Sequence, residues 1–231
     1  MHWSFTLHAL LFLLLNSALT AGALAQGSSD TVFTIPVRVH ILTSIDVDVN
    51  GKQLATWVTQ ADFTTSVLPE MNRIWKPAGV QWKIESIVVE DAVKGPELQA
   101  LLQRVAAKEK VEFPAFKAVF PAASKQPGLV HLYLLPVIGA LNGVAGINGN
   151  VAIAATWRRK GPNDFQRAPL VTSSPMLVSV AKTSAHEVGH NLGLGHPDEK
   201  IVERLMQAGP GTLLIPEEIT TARKRAAILA K

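Results

Sequence analysis

Beyond residue 30 the apolar positions of the chain switch between a period of two and a period near 3.6. Thr31 to Ser44, TVFTIPVRVHILTS, is rich in β-branched residues and predicts a strand with Val37, Val39 and Ile41 on one face. Asn50-Gly51 is a tight-turn signal. From Gln60 to Lys76, Phe63, Val67, Leu68, Met71, Ile74 and Trp75 recur at helical spacing, and Pro77 and Gly79 stop the helix. Val80 to Glu90 alternates Val80, Trp82 and Ile84 with Gln81, Lys83 and Glu85, which predicts a half-buried strand. A second helix opens at Pro96 and sets Leu98, Leu101, Leu102 and Val105 on one side. Gly128 to Ile138 is apolar almost throughout and predicts a central strand. The glycine-rich GALNGVAGINGN then leads to a short strand, VAIAATW, ending at Trp157.

Arg158 to Ser173 is polar, contains proline and is expected to be a loop. Ser174-Pro175 has the chemistry of a helix start, a capping hydroxyl followed by proline at the first helical position. The helix predicted from there has no breaker before Gly189, and Met176, Val180 and Val188 are candidates for its buried side. TLLIPEEITTARKRAAILAK predicts a terminal helix that opens at Pro216, with Glu217 and Glu218 in its first turn. This order implies an α/β (α+β) fold, a mixed twisted sheet backed by helices.

Residues 1–25 stand apart: an apolar stretch from Leu7 to Leu15 is followed by small residues and Ala23-Leu24-Ala25. This is the pattern of an export signal cut after Ala25, although no Lys or Arg precedes the apolar run. The apolar stretch is shorter than the ~20 residues that span a bilayer, so no stable membrane insertion is expected after cleavage. Residues 26–231 then form one domain, secreted or periplasmic and monomeric. With no cysteine, the chain has neither disulfides nor a thiolate metal site. Its net charge of +4 is not gathered into basic runs interleaved with aromatics, so nucleic acid is not an expected partner.

The chemistry concentrates in HEVGHNLGLGH, His186 to His196. His186 and His190 stand at i and i+4 on a helix, which places both imidazoles on one face with Cβ atoms roughly 5–6 Å apart. That separation suits two nitrogens at about 2.0–2.1 Å from one Zn²⁺. Gly193 is where a helix can end with positive φ, and the reversal can bring back His196 as a third nitrogen ligand. Three protein ligands leave one tetrahedral position open for water, the condition of a catalytic site. Glu187, one residue round the helix, is placed to accept a proton from that water. H-E-x-x-H-x-x-G-x-x-H fixes five positions and arises by chance at a frequency of ~10⁻⁵ in such a chain, so one zinc ion is the expected cofactor. His40 and His131 lie within predicted strands and are expected to be structural.

HEVGHNLGLGH resembles the active-site signature of the metzincin zinc endopeptidases. The resemblance is specific only between about Ser174 and Gly211. It implies a small C-terminal subdomain that ends in a helix, and a methionine in a tight turn beneath the metal, which Met206 in RLMQAGPG would supply. It further implies hydrolysis of internal peptide bonds, with Glu187 as general base. Substrate would pair along Gly143, Val144, Ala145, Gly146 and Ile147, and a pocket wall would form from Gln207, Ala208, Gly209 and Pro210. Pro197 after the third histidine is similar to the serralysin-like branch. Ala208, however, stands where serralysins and astacins carry a tyrosine, so the branch stays open. Two other readings fit the sequence: a zinc-stabilised binding protein with little catalysis, and a metallohydrolase of another amide or ester.

Overall fold

β1 (Phe33–Thr43) is the strand on which the architecture is built, in a computed structural model that describes residues 31–161, 164–198, 201–207, 209 and 211–231. The leader expected at 1–25 lies outside the described residues. After β1 come the short hairpin strands β2 (Val47–Val49) and β3 (Lys52–Leu54). Asn50 and Gly51 join them with φ of 55° and 77°, as an Asn-Gly hairpin turn requires.

The helix expected over 60–76 forms in sections: α1 (Gln60–Asp62), a π-helical stretch over Phe63–Val67, α2 (Leu68–Trp75) and a 3₁₀ turn over Lys76–Ala78. Thr59 caps its start, with the Asp62 amide donating to the Thr59 hydroxyl at 3.1 Å. Gly79, at φ 62°, ends it. Next follow β4 (Val80–Asp91), α3 (Pro96–Ala106), α4 (Phe113–Lys117), β5 (Val130–Leu135), β6 (Gly143–Ala145), β7 (Val151–Ala155), β8 (Trp157–Gly161), β9 (Asp164–Arg167), α5 (Val180–Asn191) and α6 (Pro216–Leu229).

Five strands form the main sheet in the order β4-β1-β5-β7-β6. The first four are parallel neighbours, and only β6 runs antiparallel, at the edge. β5, the most continuously apolar strand, is the middle one, and all six of its residues are buried. Its side chains alternate between two cores, as the pleat demands. Leu132 and Leu134 join Val37, Val39, Ile41, Trp75, Ala185, Val188 and Ala222 on the face covered by α2, α5 and α6. Tyr133 and Leu135 join Leu98, Leu101, Phe116 and Phe120 on the face covered by α3 and α4.

His40 and His131 project into that second core as part of a polar chain. His40 Nδ1 lies 2.6 Å from Glu90 Oε1, and His40 Nε2 lies 2.8 Å from His131 Nδ1. His131 Nε2 ends the chain at Gln126, 3.3 Å from its amide nitrogen and 2.9 Å from its carbonyl. The Tyr133 ring stacks on His40 at 4.1 Å between centroids.

Four local expectations are corrected. Arg158 to Ser173 is not all loop, because β8 and β9 pair as an antiparallel hairpin. Trp157 belongs to β8, not to the strand before it, which ends at Ala155. The hairpin's polar surface hid its alternation, and the stabilising contacts are aromatic and cationic instead. Arg167 lies 5.4 Å from the Trp57 ring and 5.8 Å from that of Trp157. Ser174 does not start the metal-motif helix either. α5 begins at Val180, and Ser179 caps it, its hydroxyl accepting from the Lys182 amide at 3.2 Å. The carbonyls of Pro169 and Leu170 take the Val180 and Ala181 amides, so these helix donors are met without an earlier turn. Met176, expected inside, is 72% exposed on the strap that precedes α5.

Candidate metal centre

All twelve residues of α5 are buried, which fixes the motif between the sheet on one side and α2 and the Met206 segment on the other. The helix ends in a Schellman motif. The Gly193 amide donates to His190 O at 3.0 Å, the Leu194 amide to Gly189 O at 3.1 Å, and Gly193 has φ 88°. The reversal returns His196 to the imidazoles of His186 and His190. Ring centroids are 5.0 Å (186–190), 5.1 Å (186–196) and 4.9 Å (190–196) apart. One donor nitrogen from each ring lies within 4.8 Å of the others, the one such group among the described residues. His186 and His190 are buried, whereas His196 is exposed.

The second nitrogen of each helical ring decides what the first can do. His186 Nδ1 donates to Leu205 O at 2.6 Å, and His190 Nδ1 to Leu194 O at 2.7 Å. A carbonyl only accepts, so each Nδ1 carries the proton and each Nε2 presents a lone pair. His186 Nε2 lies 3.0 Å from His196 Nε2. A tetrahedral ion with bonds of about 2.0–2.1 Å holds its nitrogens roughly 3.3 Å apart, so the spacing fits one small divalent ion. Burial, with the neighbouring imidazole of His190 adding to it, lowers the His186 pKa to about 4. Burial lowers that of His190 too. Both rings are therefore neutral at pH 7, the form that ligates.

Glu187 leaves the helix toward β6. Its carboxyl sits under Gly143, where any Cβ would collide with Glu187 Oε1. Oε2 is buried without a hydrogen-bond partner, and desolvation raises the pKa well above the ordinary carboxylate range. Beneath the helix, Met206 is fully buried, and a Cβ on Gly189 would come within 2.6 Å of its Sδ and 3.2 Å of Trp75 Cζ2. Trp75 Nε1 donates to Ala185 O at 3.2 Å. The Met206 segment thus acts twice: Leu205 orients His186, and Met206 fills the space below it.

These groups open onto a cleft of about 690 Å³. Gly143, Val144, Ala145 and Ile147 are among its lining residues, as are Val178, Thr183 and Gly209. Gly146 and Gln207, expected beside substrate, are not among the lining residues, and the Gly146 carbonyl turns instead to Asn191 Nδ2 at 3.3 Å. Ala208 and Pro210 lie outside the described residues.

Sequence reasoning missed Gly189 and Asn191 as parts of the site. A glycine inside a helix costs about 1 kcal/mol against alanine, so Gly189 carried a signal that something packs closely there. It also missed Lys182, a buried ammonium that donates to Ser174 O at 2.7 Å and fastens the strap carrying Val178.

No protein-family profile matches the chain, and no curated protein matches it. Among solved structures, the fold is similar to an archaemetzincin from Methanopyrus kandleri: 13% identity over 85% of this chain and 93% of that one, TM-score 0.44. It is also similar to metalloproteinase-II from Bacteroides fragilis: 16% identity over 84% of this chain and 54% of that one, TM-score 0.44. A third likeness, to a chain in a chaperone–substrate complex, has 12% identity over 86% of this chain and 35% of that one, TM-score 0.48. The chemistry of the site follows from its own side chains.

Proposed function

We propose that the chain is an exported zinc endopeptidase of the metzincin type, with residues 1–25 as its leader and 26–231 as a catalytic domain. It acts as a monomer on peptide or protein substrates. The observation that carries this reading is the convergence of three imidazoles, two with Nδ1 committed to a main-chain carbonyl, beside a buried carboxyl from the same helix.

His186, His190 and His196 would hold one Zn²⁺; three neutral nitrogen donors suit that ion. When bound, the ion supplies Lewis-acid polarisation of a carbonyl and acidifies a water. The chain's own residues do the rest. Glu187, raised by burial, is basic enough to take the water's proton and return it to the leaving nitrogen. Gly143 to Ala145 offer an edge strand of small residues along which an extended peptide can lie. The single tyrosine of the sequence, Tyr133, is buried in the second core, so no tyrosine hydroxyl reaches the cleft.

The test measures bound metal and cleavage of a broad peptide library for wild type and Glu187→Ala. Stoichiometric zinc in both, with cleavage reduced by about 10²–10⁴ in the variant, is expected. Zinc in both without cleavage by either would replace the peptidase with a zinc-stabilised binding protein.

A further inference from the structure

Glu187 and Asn191 stand at i and i+4 on α5, so they share a face, the one turned to β6 and β7. Under the start of β6, the Glu187 carboxyl meets Gly143. Just past its end, the fully buried Asn191 amide donates to Gly146 O at 3.3 Å and to Val151 O at 3.1 Å. These two carbonyls bracket the whole connection between β6 and β7. The loop is tied to the same helix end a third time, by the Asn148 amide donating to His190 O at 2.9 Å. From α6, Arg225 donates to Asn148 O at 2.9 Å.

The side chain is used asymmetrically. Both bonds come from Nδ2, while Oδ1 is buried without a partner. An unsatisfied buried oxygen costs about 1–3 kcal/mol, so asparagine is a poor choice for filling this space unless its two donors matter. No apolar residue of the same size donates. A carboxylate there would face two carbonyl oxygens.

We propose that Asn191 is a positioning residue: by clamping both ends of the β6–β7 loop it sets the height of the edge strand above Glu187. The inference deepens the peptidase reading and rests on it for the identity of the substrate. Asn191 touches neither the imidazole nitrogens nor the reacting groups, so its loss acts on the strand that receives the peptide, not on metal uptake.

Asn191→Leu keeps the volume, removes both donors and also removes the unpaired oxygen, so a residue that only packs would be replaced at no cost. Three quantities are measured on the zinc-loaded full chain: zinc affinity, amide hydrogen exchange over 143–149, and kcat and KM on an extended peptide. Zinc affinity should match wild type. Exchange at Asn148, Gly149 and the β6 amides should quicken at least tenfold, while amides inside α5 keep their protection. KM should rise about tenfold, with kcat changed less, as the loss of two buried hydrogen bonds implies. Asn191→Asp, which at most regains one donor by taking up a proton, should fall between the two and serves if the leucine variant does not fold. Wild-type exchange over 143–149 in either folded variant overturns the proposal. If wild type cleaves no peptide, the enzymatic reading fails alone, because hydrogen exchange still decides the clamp.

Discussion

At Gly189 even a methyl group lacks room, since the Met206 sulfur and the Trp75 ring already occupy its place. Gly189→Ala should lower stability by about 1–3 kcal/mol through overpacking, despite alanine's better helix propensity; the urea midpoint reads it. Tighter folding in the variant would mean that the floor of the site yields easily. Much of the residue-level chemistry was legible: the histidine spacing and Gly193 are properties of a helix and its end, which local sequence determines. The partners on the far side of each ring were not. Leu205 O and Leu194 O are main-chain atoms, and no residue type announces which carbonyl will face an imidazole. The direction of the Gly146 carbonyl was illegible for a related reason, because in a glycine-rich loop tertiary contacts, here Asn191 Nδ2, set where each carbonyl points.

At the scale of elements, α6 is joined to the Met206 segment by a buried ion pair, Arg204 to Glu218 Oε1 at 2.9 Å. Glu218 Oε2 also accepts the Ile215 amide at 3.0 Å, capping the helix with the other half of the same carboxylate. Glu218→Leu should therefore cost about 3–5 kcal/mol, because it removes a buried carboxylate that both pairs with Arg204 and caps the helix start. Calorimetry checks the loss, and a variant within 1 kcal/mol of wild type would show that the pair is dispensable. The glutamate was visible as a first-turn acid; its partner 14 residues earlier was not. The start of α5 shows the same limit. Ser174-Pro175 and Ser179 are both plausible caps by composition, and only the carbonyls of Pro169 and Leu170 choose between them. β8 and β9 escaped notice because a hairpin that packs through Trp and Arg lacks the apolar alternation of a core strand.

For the whole molecule, the sheet order was not legible, since nothing local tells β1 that its neighbours are β4 and β5. Its consequence is that the sheet separates two sets of histidines whose responses to acid can be told apart. Burial lowers the His40 pKa to about 4, against 6.5 in the unfolded chain, and lowers that of His131 as well. The unfolded state then binds protons that the native state refuses. The contribution is present above pH 6.5 and is lost as pH falls toward 4. Arg38, Glu85, Glu90, Lys125 and Tyr133 surround the pair, so its titration carries their fields too. The apo protein should lose stability from both sets across this window. Zinc at a hundred times its Kd should add about 2.7 kcal/mol at pH 7 and progressively less as acid competes for the ligands. Urea titrations at pH 7.5, 6 and 4.5, with and without chelator, separate the two sets; a chelator effect that did not shrink in acid would remove the histidines from the metal. Trp75 gives this centre an optical voice. Its indole N–H is held by the helix that carries two of the imidazoles, and its ring closes the space beneath Gly189. Loosening α5 would wet that ring and shift its emission to the red, so the emission difference between wild type and Trp75→Phe, which subtracts the other four tryptophans, should follow addition and chelation of zinc in real time, with no substrate in the cuvette.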